Sequence, residues 1–189
     1  QEDFKIEKDI WNRDHGTAEI ALRLDQDIDL DVDNEIIKNF IPYYINDCGA
    51  VFGRDGNPSS HYLWSNKNKI SFKQFSLPEE FERDYKNFAH GAMLCELRTE
   101  NKRYTIVPES LHSKSKTNVK WEKFESIKEY DGNLSLDVGK VALSTALTII
   151  YPGQGKRDEY CTAIAGILLK NSDWTEEQIN LFISRIAEA

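Results

Sequence analysis

The segment that most constrains this chain is an acidic stretch at 27–33, DIDLDVD, in which aspartates alternate with aliphatic residues. Neighbouring side chains of a β-strand point to opposite faces, so the pattern predicts a strand with one apolar face and one face of carboxylates. Like charges this close require positive charge nearby, and hard oxygen ligands favour Mg²⁺, Mn²⁺ or Ca²⁺. The members of the acidic face are Asp27, Asp29, Asp31 and Asp33.

Two alternatives compete with a catalytic metal site at this stretch. An EF-hand calcium loop needs glycine at its sixth position and glutamate at its twelfth. Loops that begin at position 25, 27 or 29 have leucine, valine or asparagine sixth and isoleucine, lysine or phenylalanine twelfth. The EF-hand is therefore excluded, whereas a solvated acidic face remains an alternative to a metal site.

Composition limits the class of protein. The chain has 189 residues, 40% of them hydrophobic, which is enough to bury the core of one domain with a small appendage. Its net charge of -8 argues against coating nucleic acid by charge alone, although it permits a local basic groove. We find no signal peptide and no apolar run long enough to span a membrane, and Gln1 in first position suggests a segment of a longer polypeptide.

The cysteines indicate a reducing compartment. Cys48, Cys95 and Cys161 are odd in number, far apart and never in C-x-x-C spacing. They predict reduced, mostly buried thiols in a cytoplasmic protein, with neither a zinc site nor a disulfide framework.

Periodicity predicts an α+β fold. Strands are expected at 17–24, 27–33, 50–52, 59–64, 69–75, 91–98 and 104–107, with hairpins that join 59–64 to 69–75 and 91–98 to 104–107. Helices are expected from Asn34 to about 44, with Asp33 or Asn34 as the N-cap, at 78–88, 138–151 and 158–170, and from a capping box at Thr175. An arm or short helix at 1–15 precedes them. We expect a core at 1–135 and a helical subdomain at 136–189.

Two further groups of charged residues carry alternatives. Glu96 lies in a strongly apolar strand and needs a partner, for which Arg98 and Arg103 are candidates. The segment 113–123 is expected to be a loop that carries lysines around an aromatic residue, which suits a nucleic-acid backbone and a stacked base. A solvated surface is the alternative for this segment. The residues concerned are Lys114, Lys116, Lys120, Lys123 and Trp121.

Three segments in this order resemble motifs of the archaeo-eukaryotic primase superfamily, in the primase-polymerase branch found in phages, plasmids and other mobile, defence or CRISPR-associated elements. The segments are Asp29-Leu30-Asp31, Ser59-Ser60-His61 and Glu96 within Leu94-Cys95-Glu96-Leu97-Arg98. The flanking sequences at 51–54, 62–64 and 107–112 are similar to those of the family as well. The tail from 151 onward resembles a helical extension of some members. The chain departs from the family at Glu109, where a second proline is common, and near Ser115, where a glycine is common.

The resemblance implies a fold, an activity and a set of site residues. The fold is a primase-polymerase core with a mixed or antiparallel, RRM-like sheet and a C-terminal helical subdomain. The activity is template-directed nucleotidyl transfer, as DNA primase or DNA polymerase, with two Mg²⁺ or Mn²⁺ ions, nucleoside triphosphates and a DNA template or primer. A helicase or another replication or defence module is an implied partner.

Under this resemblance the site residues fall into three groups. The metal ligands and catalytic residues are Asp29, Asp31 and Glu96. The nucleotide-binding candidates are Arg54, Ser59, Ser60, His61, Arg98, Ser110 and His112. The candidates for nucleic-acid binding are Lys114, Lys116, Lys120 and Trp121. The rival functions are a non-catalytic nucleotide or nucleic-acid binding module and a metal-dependent nuclease, which would also use clustered acids.

Overall fold

A computed structural model of the chain describes residues 19–32, 34–46, 48–67, 69–78, 92–99 and 103–189. Over these ranges it has nine strands and five helices, which confirms the α+β class. The strands are β1 (Ala21–Arg23), β2 (Asp27–Val32), β3 (Ala50–Arg54), β4 (Asn57–Ser65), β5 (Lys73–Ser76), β6 (Met93–Arg98), β7 (Tyr104–Ile106), β8 (Val119–Phe124) and β9 (Lys128–Glu129). The helices are α1 (Glu35–Lys38), α2 (Ile41–Tyr44), α3 (Leu134–Ile149), α4 (Arg157–Asn171) and α5 (Glu176–Glu188). The segments expected at 1–15 and 79–88 lie outside the described residues.

The main sheet has the strand order β5-β6-β2-β4-β3-β8, and β9 pairs with β4. Strand β4 pairs antiparallel with β2 and β3, and β3 pairs antiparallel with β8. The β4–β9 pairing is parallel, and β1 and β7 form a separate antiparallel pair. The acidic strand β2 is therefore an inner strand, flanked by β4 and β6.

The alternation expected along β2 is confirmed. Ile28, Leu30 and Val32 are at most 1% exposed, as an apolar face against the core requires. Asp29 and Asp31 occupy the other face, and Asp33 lies outside the described residues. The register that sequence reasoning assumed for the carboxylates is thus the observed one.

Both expected hairpins are wrong. The segment 59–64 belongs to β4, whose neighbours are β2 and β3, while β5 pairs with β6. Strand β7 pairs with β1, because both edges of β6 are taken by β5 and β2. The hairpin that does form joins β3 to β4 through the two-residue turn Asp55-Gly56, with Gly56 at a φ of 90°. Local alternation identifies strands but does not choose their partners.

The loop expected at 113–123 is a strand from Val119 onward. Strand β8 pairs with β3, with Val119 buried and Trp121 half-buried on one face, while Lys120 and Glu122 are exposed on the other. Charged residues are common on edge strands, where they discourage further pairing. Because charged residues are abundant in this segment, its composition predicted a loop rather than a strand.

The helices follow the sequence closely. Asn34 caps α1 as expected, with its side chain accepting a hydrogen bond from the Ile36 N–H at 2.9 Å. The helix expected to run to about 44 is divided into α1 and α2, and Pro42 lies at the start of α2. The capping box at Thr175 is confirmed, with Gln178 as its second member.

Contacts divide the chain into two compact units, at 1–32, 46–74 and 96–132 for the first, and 33–45, 75–95 and 133–189 for the second. The domain boundary expected at 135 stays a prediction. Cys48, Cys95 and Cys161 are free thiols, and the first two are buried. Among the described helices, none is both long and apolar enough to cross a membrane.

Candidate functional site

The two carboxylates of β2 sit in unequal surroundings. Asp29 is wholly buried, whereas the Asp31 side chain is 22% exposed. In the β2–β4 register Asp29 lies opposite Leu63, and Asp31 lies opposite His61. Leu63 belongs to a core cluster, so the acidic face of β2 is covered at Asp29 and opens at Asp31. The members of that core cluster are Leu24, Ala50, Phe52, Leu63 and Val119.

His61 on β4 contacts the carboxylate of Asp29. Its Nδ1 lies 3.0 Å and 3.2 Å from the two carboxylate oxygens of Asp29, and 3.8 Å from Asp31 Oδ1. Burial lowers the pKa of the imidazole, but the negative charge of Asp29, its hydrogen bond and the charge of Asp31 outweigh that effect. The pKa of His61 is therefore raised above its ordinary value of 6.5. The ring stacks on Phe52, with centroids 4.6 Å apart and planes 9° apart.

Arg98 on β6, the other neighbour of β2, forms an ion pair with Asp31. Its Nη1 lies 3.0 Å from Asp31 Oδ2 and 3.9 Å from Asp29 Oδ2. Its Nη2 donates a hydrogen bond of 2.6 Å to the carbonyl oxygen of Tyr104, which fixes the guanidinium in place. Two carboxylates on β2 are thus matched by an imidazole and a guanidinium on the flanking strands.

Glu96 shares the Arg98 face of β6, because residues two apart on a strand point the same way. Its Oε2 lies 3.9 Å from Arg98 Nε, and its Oε1 accepts a hydrogen bond from the Gln74 amide of β5. Of the two expected partners, the structure therefore brings Arg98 to Glu96. Gln74 was not expected from the sequence, because a single glutamine on a short strand carries no distinctive pattern.

Ser59 opens the Ser59-Ser60-His61 segment, called here the S-x-H segment, and holds an anionic group in a strained conformation. Ser59 has a φ of 48°, a region that residues with a side chain seldom occupy. Both its backbone N–H and its hydroxyl donate to the carboxylate of Glu122 on β8. Gly53 is required beneath this turn, since a Cβ at position 53 would lie 2.6 Å from the carbonyl oxygen of Asn57.

Ser60 does not share this face. Its side chain is 1% exposed, and its hydroxyl has no hydrogen-bond partner within the described part of the chain. Alternation along β4 turns Ser60 away from His61. Of the three residues of the S-x-H segment, the structure therefore brings only His61 to the acidic strand, while Ser59 contacts Glu122 on β8.

The remaining candidates on the nucleotide side differ in availability. Arg54 ends β3, and its guanidinium has no hydrogen bond or ion pair among the described residues. Burial and the positive charge of Arg54 lower the pKa of His112, whose Nδ1 accepts from the Ser115 N–H at 3.2 Å. Ser110 is buried, and its hydroxyl accepts from the Ile20 N–H at 2.7 Å. Ser110 thus ties two segments of backbone together, with its hydroxyl already engaged.

The basic residues near β8 are exposed. Lys114 and Lys116 precede the strand, and Lys116 has a φ of 56°. Lys120 pairs with Asp55 at 2.8 Å, with both side chains more than half exposed. Trp121 packs edge-on against Phe52 at 5.3 Å. A cavity of about 450 Å³ brings Lys120 and Trp121 together with part of the 108–119 segment.

A divalent cation finds suitable donors here, but not a complete ligand set. Across the described ranges, no group of three or more His, Cys, Asp and Glu side chains is arranged to hold a metal ion. Asp29 and Asp31 supply hard carboxylate oxygens on one face, which suits Mg²⁺ or Mn²⁺. Their oxygens face His61 and Arg98 instead, so a cation at this pair would replace the positive charge that these two side chains provide.

Sequence reasoning missed two contributors besides Gln74. Phe52 supports the His61 ring, and the only signal for it was its place in a short apolar strand. Glu122, in a segment expected to be a loop, accepts a hydrogen bond from the Ser59 hydroxyl. Comparison with known protein families, with curated proteins and with solved structures finds no match for this chain. The case for a function therefore rests on the geometry of these residues.

Proposed function

We propose that the chain catalyses metal-dependent, template-directed nucleotidyl transfer, as a DNA primase or DNA polymerase of the primase-polymerase type. One observation carries the proposal. Asp29 meets His61, which is 32 residues away in sequence, and Asp31 meets Arg98, which is 67 residues away, on three neighbouring strands. The three segments that resemble family motifs thus converge on one face of one sheet.

The acidic side of this face suits phosphoryl transfer. Bound Mg²⁺ or Mn²⁺ would stabilise the charge that develops on the attacking and leaving oxygens. Asp29 and Asp31 would hold the metal through their carboxylates, and Glu96 lies on the neighbouring strand as the third acid. Strands hold such groups more firmly than loops do, which favours a fixed geometry at the reacting phosphate.

Donors at the end of β3 and the start of β4 suit a triphosphate. The N–H and hydroxyl of Ser59 already hold an anionic oxygen pair, that of Glu122. A triphosphate would take the place of this carboxylate. The raised pKa of His61 favours its cationic form, and the Arg54 guanidinium is available because it has no ion pair among the described residues.

The template or primer would contact the exposed basic residues next to β8. Lys114, Lys116 and Lys120 supply charge for a phosphate backbone, and Trp121 supplies a ring on which a base can stack. A helicase or another replication or defence module, in the same polypeptide or encoded nearby, would complete the system.

A second candidate is a nucleotide-binding module without catalysis. It is favoured by the ion pairs at Asp29 and Asp31, which balance the acidic face with protein cations rather than with metal. In this case Ser59 and His61 would hold the nucleotide, and the carboxylates would serve to charge and orient His61. A nuclease is less favoured, because degradation gives no role to the donors of Ser59.

The test is extension of a labelled DNA primer on a template, with Mn²⁺ or Mg²⁺ and all four deoxynucleoside triphosphates. We compare the wild type with Asp29→Asn and His61→Ala, and use Asp25→Ala as a control, because Asp25 is an exposed acid beside the same strand. Template-dependent lengthening that both site variants abolish, with both variants still folded at the assay temperature, supports the proposal. Tight nucleotide binding without lengthening would favour the binding module, and shortening would favour a nuclease.

A further inference from the structure

The second compact unit contains a cavity of its own, of about 200 Å³. Its walls come from α2, α3, α5 and the residues just before α5. The lining residues are Tyr44, Lys140, Trp174, Gln178, Leu181, Phe182 and Arg185. None of them takes part in the candidate active site of the first unit, so the cavity needs its own explanation.

The charge of the lining is positive in an acidic protein. The chain has a net charge of -8, yet the lining includes two cationic side chains and no carboxylate. Lys140 is balanced by Asp137, with 2.9 Å between Nζ and Oδ1. Arg185 has no ion pair with a carboxylate in the part of the chain that the structure describes, so it gives the cavity a net positive charge.

Arg185 is held in place by aromatic rings rather than by acids. Its guanidinium lies 4.3 Å from the ring centroid of Tyr43 and 5.2 Å from that of Tyr44. Stacking uses the face of a guanidinium and leaves its N–H groups at the edge. Those donors match the oxygens of a phosphate, which takes two N–H groups of one arginine at once.

The rest of the lining suits a planar ring system. Trp174 and Tyr44 are half-buried, and Trp174 packs edge-on against the buried Phe182 at 5.1 Å, which fixes the indole. The cavity is smaller than the roughly 300–1,000 Å³ that holds a drug-sized ligand. It therefore admits one flat group while the rest of the ligand stays outside, beside Gln178 and Arg185.

We propose that this cavity is a second nucleotide site, in which a base packs against Trp174 and Tyr44 and the phosphate is held by Arg185. The ligand chemistry is an aromatic base joined to a phosphate, which a free nucleotide and an unpaired nucleotide of a single strand both offer. Base stacking on aromatic side chains tolerates every base, so the site is expected to show little sequence preference. The inference does not depend on the activity proposed for the first unit.

The test measures binding of adenosine monophosphate and of the oligonucleotide (dT)4 by isothermal titration calorimetry, with the whole chain and three variants. Gln178→Glu brings a negative charge into the cavity and keeps the capping box, because glutamate serves at that position as glutamine does. Arg185→Gln removes the phosphate donor. Asn180→Asp is the matched control, since it adds the same charge to an exposed position of the same helix outside the lining.

We expect Gln178→Glu and Arg185→Gln each to weaken binding about tenfold, as loss of a charge-assisted contact does, with Asn180→Asp close to wild type. Binding of the monophosphate would identify a site for free nucleotide, and binding of (dT)4 alone would identify a site for a single strand; both support the proposal. If neither adenosine monophosphate nor (dT)4 binds, the proposal is overturned. So does an affinity that Gln178→Glu leaves unchanged and that His61→Ala removes, because the ligand would then occupy the first unit.

Discussion

The first unit has two regions that the sequence marks by their concentration of charge, and the structure buries one and exposes the other. The acidic cluster consists of Asp29, Asp31 and Glu96 with His61 and Arg98. The basic segment consists of Lys114, Lys116, Lys120 and Trp121. In the acidic cluster each carboxylate has a cationic group within 4 Å, and Asp29 is wholly buried. In the basic segment the lysines are exposed to solvent.

The difference shows that burial, rather than the number of charges, decides how much a group of charged residues contributes to the stability of the fold. An exposed ion pair such as Lys120 with Asp55 is screened by water and is worth about 0–1 kcal/mol. A buried carboxylate must be matched by a partner, because an unpaired charge in the interior is costly. The acidic cluster is therefore a fixed electrostatic arrangement, whereas the basic segment acts through long-range attraction that salt weakens.

The largest expected effect on stability comes from replacing Asp29, the buried carboxylate of the acidic cluster. Asp29→Ala removes the carboxylate that His61 faces and leaves a cavity in a covered part of the sheet. We expect the free energy of unfolding to fall by about 3 kcal/mol, within the range for breaking a buried pair. Urea unfolding measures this effect. In Asp25→Ala, which removes an exposed partner of Arg23, a loss as large would contradict the role assigned to burial.

The second prediction concerns the pH dependence of the acidic cluster in the metal-free protein. The pKa of His61 is raised in the folded state, so protonated His61 stabilises the fold below its ordinary pKa of 6.5. This stabilisation is lost as the pH rises through the raised pKa. We expect the free energy of unfolding to fall over that interval in the wild type, measured by urea titration with a chelator present. His61→Gln is expected to lose this part of the pH dependence, and a curve parallel to the wild type would contradict the assignment.

The third prediction concerns Glu122, which links β8 to the S-x-H turn. Its carboxylate occupies the donors of Ser59, so a triphosphate that binds there as proposed must displace it. Glu122→Gln removes the competing charge, and we expect about fivefold tighter binding of a nucleoside triphosphate, as for loss of one modest charged contact. Calorimetry measures the affinity. Glu125→Gln is the control, because Glu125 is also exposed but pairs with Lys128 instead; equal gains in both variants would point to net charge alone.

The smallest expected effect lies in the basic segment. Replacing both Lys114 and Lys116 by alanine is expected to leave the free energy of unfolding within about 0.5 kcal/mol of wild type, since both are exposed. Binding of single-stranded DNA is expected to weaken at low salt, with a salt slope smaller by about 0.7 for each lysine. Fluorescence anisotropy at several salt concentrations measures the slope. An unchanged slope would remove these two lysines from the nucleic-acid surface.

Sequence reasoning predicted what is local and missed what is distant. The two faces of β2, the Asn34 cap and the Thr175 capping box follow from residues close together in the chain, and all three are confirmed. The partners of β5 and β7 are fixed by competition for strand edges across the whole sheet, which local alternation does not encode. The burial of Asp29 was missed for the same reason, because it depends on the core cluster around Leu63.

The candidate site divides in the same way. His61 and Arg98 were named from short motifs, and the structure brings both to the aspartates. Ser60 was named with them, yet alternation along β4 turns it away from His61. Ser110 was also named, and its hydroxyl is engaged by Ile20. The motifs therefore named side chains that lie together, and strand geometry decided which of their neighbours do not.

The inner position of β2 has a consequence for hydrogen exchange. With β4 on one side and β6 on the other, the backbone amides that carry Asp29 and Asp31 are enclosed by the sheet and exchange only when several strands separate together. The β3–β4 turn at Asp55-Gly56 lies at the end of its two strands, where local opening breaks fewer contacts. We therefore expect Asp29 and Asp31 to stay in place when only the end of the sheet opens, while Ser59, next to that turn, exchanges its amide hydrogen sooner.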